Sequence, residues 1–72
     1  MTKVGDLVRA RSGQYSLFLK DHENNTVSRR KVISGEVGVI IKMYKDDTCA
    51  YVFLQKEQKI VYGSIAPWKV IS

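Results

Sequence analysis

Ser34-Gly35-Glu36-Val37-Gly38-Val39-Ile40-Ile41-Lys42-Met43-Tyr44 is the stretch on which the fold turns. A Ser-Gly break precedes a run rich in Val and Ile, whose branched side chains suit a pleated strand and lose freedom in a helix. Alternation at period two predicts that Val37, Val39, Ile41 and Met43 share one face. Downstream, Lys45-Asp46-Asp47-Thr48 reads as a turn, Cys49 to Gln55 as the next strand, and Lys56-Glu57-Gln58 as a second turn. Lys59-Ile60-Val61-Tyr62 follows as a strand. Gly63-Ser64-Ile65-Ala66-Pro67-Trp68 then breaks the pattern, because Pro67 has no N–H to give to a ladder. Lys69-Val70-Ile71-Ser72 closes as a short last strand.

Upstream, Val4 to Arg11 predicts a first strand after a Gly5-Asp6 turn, with Val8 and Ala10 on one face and Arg9 and Arg11 on the other. Between Ser12-Gly13 and Ser34-Gly35 lies a long excursion. Gln14 to Lys20 and Thr26 to Ile33 form the two arms of a hairpin, with Asp21-His22-Glu23-Asn24-Asn25 at its tip, where Asn suits the left-handed backbone of a tight reversal. No segment carries a helical period long enough for a helix, and no repeat or linker interrupts the chain.

Seventy-two residues, 44% hydrophobic and 26% charged, have the composition of one globular domain spanning residues 1–72. No run approaches the roughly 18 apolar residues of a membrane-spanning helix, and the N-terminus lacks the apolar stretch of a signal peptide. The expected setting is therefore cytoplasmic, without a membrane. Cys49 is the sole cysteine, so no internal disulfide is available. Within its apolar run it reads as a packing residue.

Five strands, a long excursion after the first, two tight hairpins and a one-turn break before the last resemble an Src-homology-3-like (SH3-like) barrel. Ser34 to Ile41, with glycines at 35 and 38 ahead of alternating aliphatics, resembles a KOW element. The Gly5-Asp6-Leu7-Val8 opening and the aromatic closing turn are similar to small barrel proteins of tailed bacteriophages. The resemblance implies an all-β fold: a five-stranded antiparallel SH3-like barrel with a long hairpin-like loop after the first strand and a short 3-10 turn before the last. It also implies a phage virion component, or a phage protein acting on a host complex. The peptide-binding members carry an Ala-Leu-Tyr-Asp-Tyr run and a tryptophan opening the third strand. Neither is present, so capture of proline-rich ligands is not expected.

Nothing in the sequence argues for an enzyme. Asp21-His22-Glu23 are adjacent at a loop tip, Asp46-Asp47 suit a turn better than a carboxylate dyad sharing a partly buried site, and the serines lack a nucleophile signature. No phosphate-cradling glycine loop, metal set or cofactor motif is present, and no small-molecule substrate is expected.

Two groups of residues point to binding. Arg9, Arg11, Arg29, Arg30 and Lys31 are cations that meet if the long arm folds back to the first strand, and the net charge is +5. Cations beside tyrosines hold phosphates and stack bases, and the KOW resemblance implies contact with RNA or ribosomal proteins. The second group is the aromatic set Tyr15, Phe18, Tyr44, Tyr51, Tyr62 and Trp68. Together with Val39-Ile40-Ile41 and Ala50 to Leu54, these give the chain apolar side chains on both faces of its strands. A narrow barrel cannot internalise them all. The long arm covers one face, or a protein partner or second copy does. The leading expectation is a non-enzymatic interaction module docking on a larger protein assembly; the alternative is a KOW-type nucleic-acid or ribosome-associated binder.

Overall fold

A computed structural model describes residues 2–11, 13, 15–21, 23 and 25–71; the fold is all-β, and no helix occurs among the described residues. Seven strands form one antiparallel sheet: β1 (Leu7–Ala10), β2 (Ser16–Lys20), β3 (Thr26–Lys31), β4 (Val37–Tyr44), β5 (Cys49–Leu54), β6 (Lys59–Ser64) and β7 (Trp68–Val70), in the spatial order β3-β2-β6-β5-β4-β1-β7. The expected five strands are β1, β4, β5, β6 and β7. The long excursion supplies two more. The sheet is open, with β3 and β7 as unpaired edges.

Inward side chains of the sheet fill one core: Val8, Ala10, Leu17, Ile40, Ala50, Val52, Leu54, Val61 and Trp68, joined by Val32 beyond β3. β5 shows the alternation plainly, with Ala50, Val52 and Leu54 buried and Cys49, Tyr51 and Phe53 half-buried on the opposite face.

β4 departs from the expected alternation. Gly38 faces Leu54, Ile40 faces Val52, and Met43 faces Ala50, with a shift of register between Ile40 and Lys42. Ile40 is therefore the core residue at 0% exposure and Ile41 is left 41% exposed. Val37 and Val39 lie on the outward face, and only Met43 of the four predicted residues packs on the core. The cause is a β-bulge, which inserts one residue and reverses the alternation beyond it.

The pairing of β1 with β4 is framed by two equivalent turns. In each, a glycine with left-handed φ (Gly5 at +94°, Gly35 at +90°) occupies the third position, as a type II turn requires. The next residue is an acid that ties the turn shut. Asp6 accepts from the Lys3 amide at 2.9 Å, and Glu36 accepts from the Ile33 amide at 2.7 Å. Gly5 and Gly35 then donate across to the partner strands, at the carbonyls of Ile40 in mid-β4 and Ala10 at the end of β1, at 2.8 and 2.9 Å.

The long arm does not lie across the outside of the sheet. It extends the sheet, because β2 pairs with β6 through Phe18↔Tyr62, Leu19↔Val61 and Lys20↔Ile60. Its inward residues, Leu17 and Leu19, pack against the core. At the tip, the Asp21 carboxylate accepts from the amides of Glu23 and Asn25, both at 2.9 Å, so an Asx turn makes the reversal; His22 and Asn24 lie outside the described residues. Before β7, the Trp68 amide donates to the Ile65 carbonyl at 2.9 Å, a tight one-turn break at the expected place.

Gly38 packs so closely that an added Cβ would sit 2.5 Å from Val52 Cγ1 and 2.8 Å from the Phe53 carbonyl oxygen. Gly38→Ala is expected to destabilise the fold by about 1–3 kcal/mol, a fall in Tm of about 4–8 °C per kcal/mol for a chain this small. An unchanged melting curve would contradict this packing.

Candidate functional site

The outward face of the sheet gathers aromatic rings and cations in register. Arg29 of β3 pairs with Phe18 of β2, Phe18 with Tyr62 of β6, Tyr62 with Tyr51 of β5, and Tyr51 with Lys42 of β4. One row thus crosses five strands, with a cation at each end. Tyr44 joins it from the next outward position of β4, its ring 5.4 Å from Tyr51 and 6.2 Å from Tyr62. Tyr51 and Tyr62 are 4.6 Å apart and tilted by 42°. Such tilted and edge-on contacts add about 0.5–1.5 kcal/mol each beyond burial, so the rings hold one another in place.

The cations sit on the rings. Arg29 lies 5.3 Å from the Phe18 ring centre, Lys20 lies 5.7 Å from that of Tyr62, and Lys42 lies 4.8 Å from that of Tyr44. These are cation–π distances. A hydrogen bond with the Tyr44 phenol beside it holds the Lys42 ammonium above its ordinary pKa. Loss of solvation, and then the neighbouring Cys49, push the Tyr62 phenol up. Cys49 is half-buried on this face, its Sγ 4.0 Å from the Thr48 hydroxyl.

Charge is segregated between strands and turns. All seven carboxylates, Asp6, Asp21, Glu23, Glu36, Asp46, Asp47 and Glu57, lie outside the strands. The ladder registers place Arg9, Lys20, Arg29, Lys31, Lys42 and Lys69 on the outward face. A second outward row, Leu7–Val39–Phe53–Ile60, runs beside the aromatic one and is half-buried throughout.

The predicted aromatic set is only partly assembled. Tyr44, Tyr51 and Tyr62 pack together, and Phe18 lies next to them as the register partner of Tyr62. Trp68 does not, since it points inward at 6% exposure as part of the core. Tyr15 precedes β2, is 41% exposed, and accepts the Val32 amide through its carbonyl.

The five predicted cations do not form one patch. β3 and β1 are separated in the sheet by four strands, because the arm pairs with β6. Arg29 and Lys31 face outward on the β3 edge, Arg9 faces outward on β1, and Arg11 donates to the Ala66 carbonyl at 2.9 Å. Arg30 points the other way and is a structural clamp. Its guanidinium grips Glu36 with bonds of 2.8 and 2.7 Å and also pairs with Glu57. Lys20 and Lys42 were missed as site residues. The signal for them is local: Phe18-Leu19-Lys20 and Lys42-Met43-Tyr44 each place a cation two residues from an aromatic, on the same face of one strand.

Among the described residues, no cluster of three or more His, Cys, Asp or Glu could hold a metal ion, and no helix is long and apolar enough to cross a membrane. No known protein family matches the chain, and neither a curated protein nor a solved structure matches it.

The clamp makes stability depend on pH. Burial pushes the Glu36 carboxyl up, but the Arg30 guanidinium and the Ile33 amide together outweigh it and hold it below its ordinary value of 4.5. A depressed carboxyl stabilises the fold fully above the unfolded value and loses that contribution as pH falls through the lower folded value. Urea titrations from pH 7 to pH 3 should therefore show wild type losing stability below about pH 4.5, with Glu36→Gln less stable at pH 7 and flatter in acid. Arg30→Ala should lower stability by about 1–3 kcal/mol at pH 7. A Glu36→Gln curve parallel to that of wild type would rule the clamp out.

Proposed function

We propose that this chain is a non-enzymatic nucleic-acid-binding module whose ligand lies on the outward face of the sheet. One observation carries the reading: this face holds six cations and three packed tyrosine rings with Phe18 beside them in register, while every carboxylate sits in a turn or connection. An interface selected only for solubility mixes both signs of charge. A polyanion is favoured by one sign, and aromatic rings add contacts that simple polyanions cannot use. A cytoplasmic setting belongs to the same reading.

The finer fold assignment is also part of the proposal. Leaving out the β2–β3 hairpin, the remaining strands stand in the order β6-β5-β4-β1-β7, which supports an SH3-like arrangement elaborated by one hairpin. The Gly35 turn and the close-packed Gly38 support the likeness of residues 34–41 to a KOW element.

Docking on a protein assembly is the second reading. The half-buried row Leu7–Val39–Phe53–Ile60 favours it, since apolar patches flanked by aromatics are frequent in protein interfaces. Burial of Trp68 removes one of its expected anchors.

Salt separates the two. In filter-binding titrations against sheared mixed nucleic acid, affinity should fall with rising salt at a log–log slope of about −2 to −4, as expected for a few released counterions. The Arg29→Glu/Lys42→Glu double variant should bind at least tenfold more weakly. Absence of binding at low salt, or a salt-insensitive complex with a protein, would overturn the nucleic-acid reading.

A further inference from the structure

The row on the outward face restricts what form of nucleic acid can use it. Arg29, Phe18, Tyr62, Tyr51 and Lys42 are register partners on five neighbouring strands, so the row runs perpendicular to the strands. Four inter-strand steps of about 4.8 Å place its ends about 19 Å apart. Within it, Tyr51 and Tyr62 pack on each other, while Phe18 at 40% and Tyr44 at 38% are the most exposed of these rings. Each exposed ring has its own cation, Arg29 for Phe18 and Lys42 for Tyr44. This is a repeated unit of one π surface beside one cation, the pair of groups that a nucleotide requires: a face for the base and a positive charge for the phosphate.

Resting on the nucleic-acid reading above, we propose that the ligand is a single strand that crosses the sheet from β3 to β4, stacking one base on Phe18 and another on Tyr44 as Arg29 and Lys42 swing off these rings to its phosphates. Arg29 and Lys20 hold the phosphates at the β3 end, and Lys42 holds them at the other. A duplex cannot make these contacts, because its base faces are hidden within its own stack. The outward faces of β2, β6 and β5 place no carboxylate along this path, so a phosphate chain meets no like charge there. The bases are met by ring faces, and stacking tolerates any base; binding is therefore tolerant of sequence.

The test uses the whole chain and fluorescein-labelled 12-mers in anisotropy titrations at fixed salt: oligo-dT, oligo-rU, a DNA duplex, and an abasic strand with the same phosphates and no bases. The dT or rU strand should bind at least tenfold tighter than both the duplex and the abasic strand, and the ratio of dT to rU assigns the preferred sugar. Phe18→Leu and Tyr44→Leu should each weaken the preferred strand by about 5- to 150-fold, the equivalent of about 1–3 kcal/mol of stacking, and leave the abasic strand unaffected. Their unchanged melting temperature shows that the fold is intact; if either variant is destabilised, Phe18→Tyr and Tyr44→Phe, which keep a ring, should restore both stability and affinity. Equal affinity for base-bearing and abasic strands, or tighter binding of the duplex, overturns the stacking proposal and leaves the cationic face standing. Failure of all four probes to bind overturns the nucleic-acid reading itself.

Discussion

Inward packing of Val8, Ile40, Val52, Leu54 and Val61, each at 0–1% exposure, sets what every other side chain in this protein can do. A coiled sheet has one concave side, and these residues fill it. The strands also carry Leu7, Val39, Phe53, Ile60 and the tyrosines on their other side. Among the described residues no element covers that side, since the long arm that had the length to do so is spent on widening the sheet. The outward face is thus shielded only by its own neighbours. Rings packed on rings and cations packed on rings are what such a face becomes when nothing roofs it.

The arm depends on the same core and on one polar contact. Leu17 and Leu19 anchor it from inside, while Arg30 reaches from its edge strand to Glu36 and Glu57. This joins the arm to the turn that starts β4 and to the turn between β5 and β6. Phe18 and Arg29, one side of the outward row, therefore ride on a hairpin whose position is set from the opposite face. Stability of the clamp and geometry of the row are coupled through β2 and β3, although the two use different side chains.

Much of this was readable from the residues. Alternation and turn chemistry give strands at Leu7–Ala10, Val37–Tyr44, Cys49–Leu54 and from Lys59 to Tyr62, because each depends on neighbours in sequence; β6 runs on through Gly63 and Ser64, which read as part of the break, and β7 already begins at Trp68. What was not readable depends on partners far along the chain. The bulge after Ile40 reverses which residues of β4 face the core, and nothing in Val39-Ile40-Ile41 marks which of them is extra. The pairing of β2 with β6 decides where the arm goes, and with it which cations share a face. Trp68 illustrates the same limit. An aromatic next to a proline in a turn looks exposed, yet it opens a strand and points inward opposite Ala10.

The claim at the centre of this account is that the uncovered outward face is the working surface. Backbone and aromatic NMR shifts of the labelled protein, followed while an unlabelled oligo-dT strand is added, report on it residue by residue. The account predicts perturbations concentrated at Phe18, Lys20, Arg29, Lys42, Tyr44, Tyr51 and Tyr62, with Trp68 and Val32 silent. Shifts centred on Tyr15, Ile33 and the β7 edge, or none on the aromatic row at saturation, would contradict it.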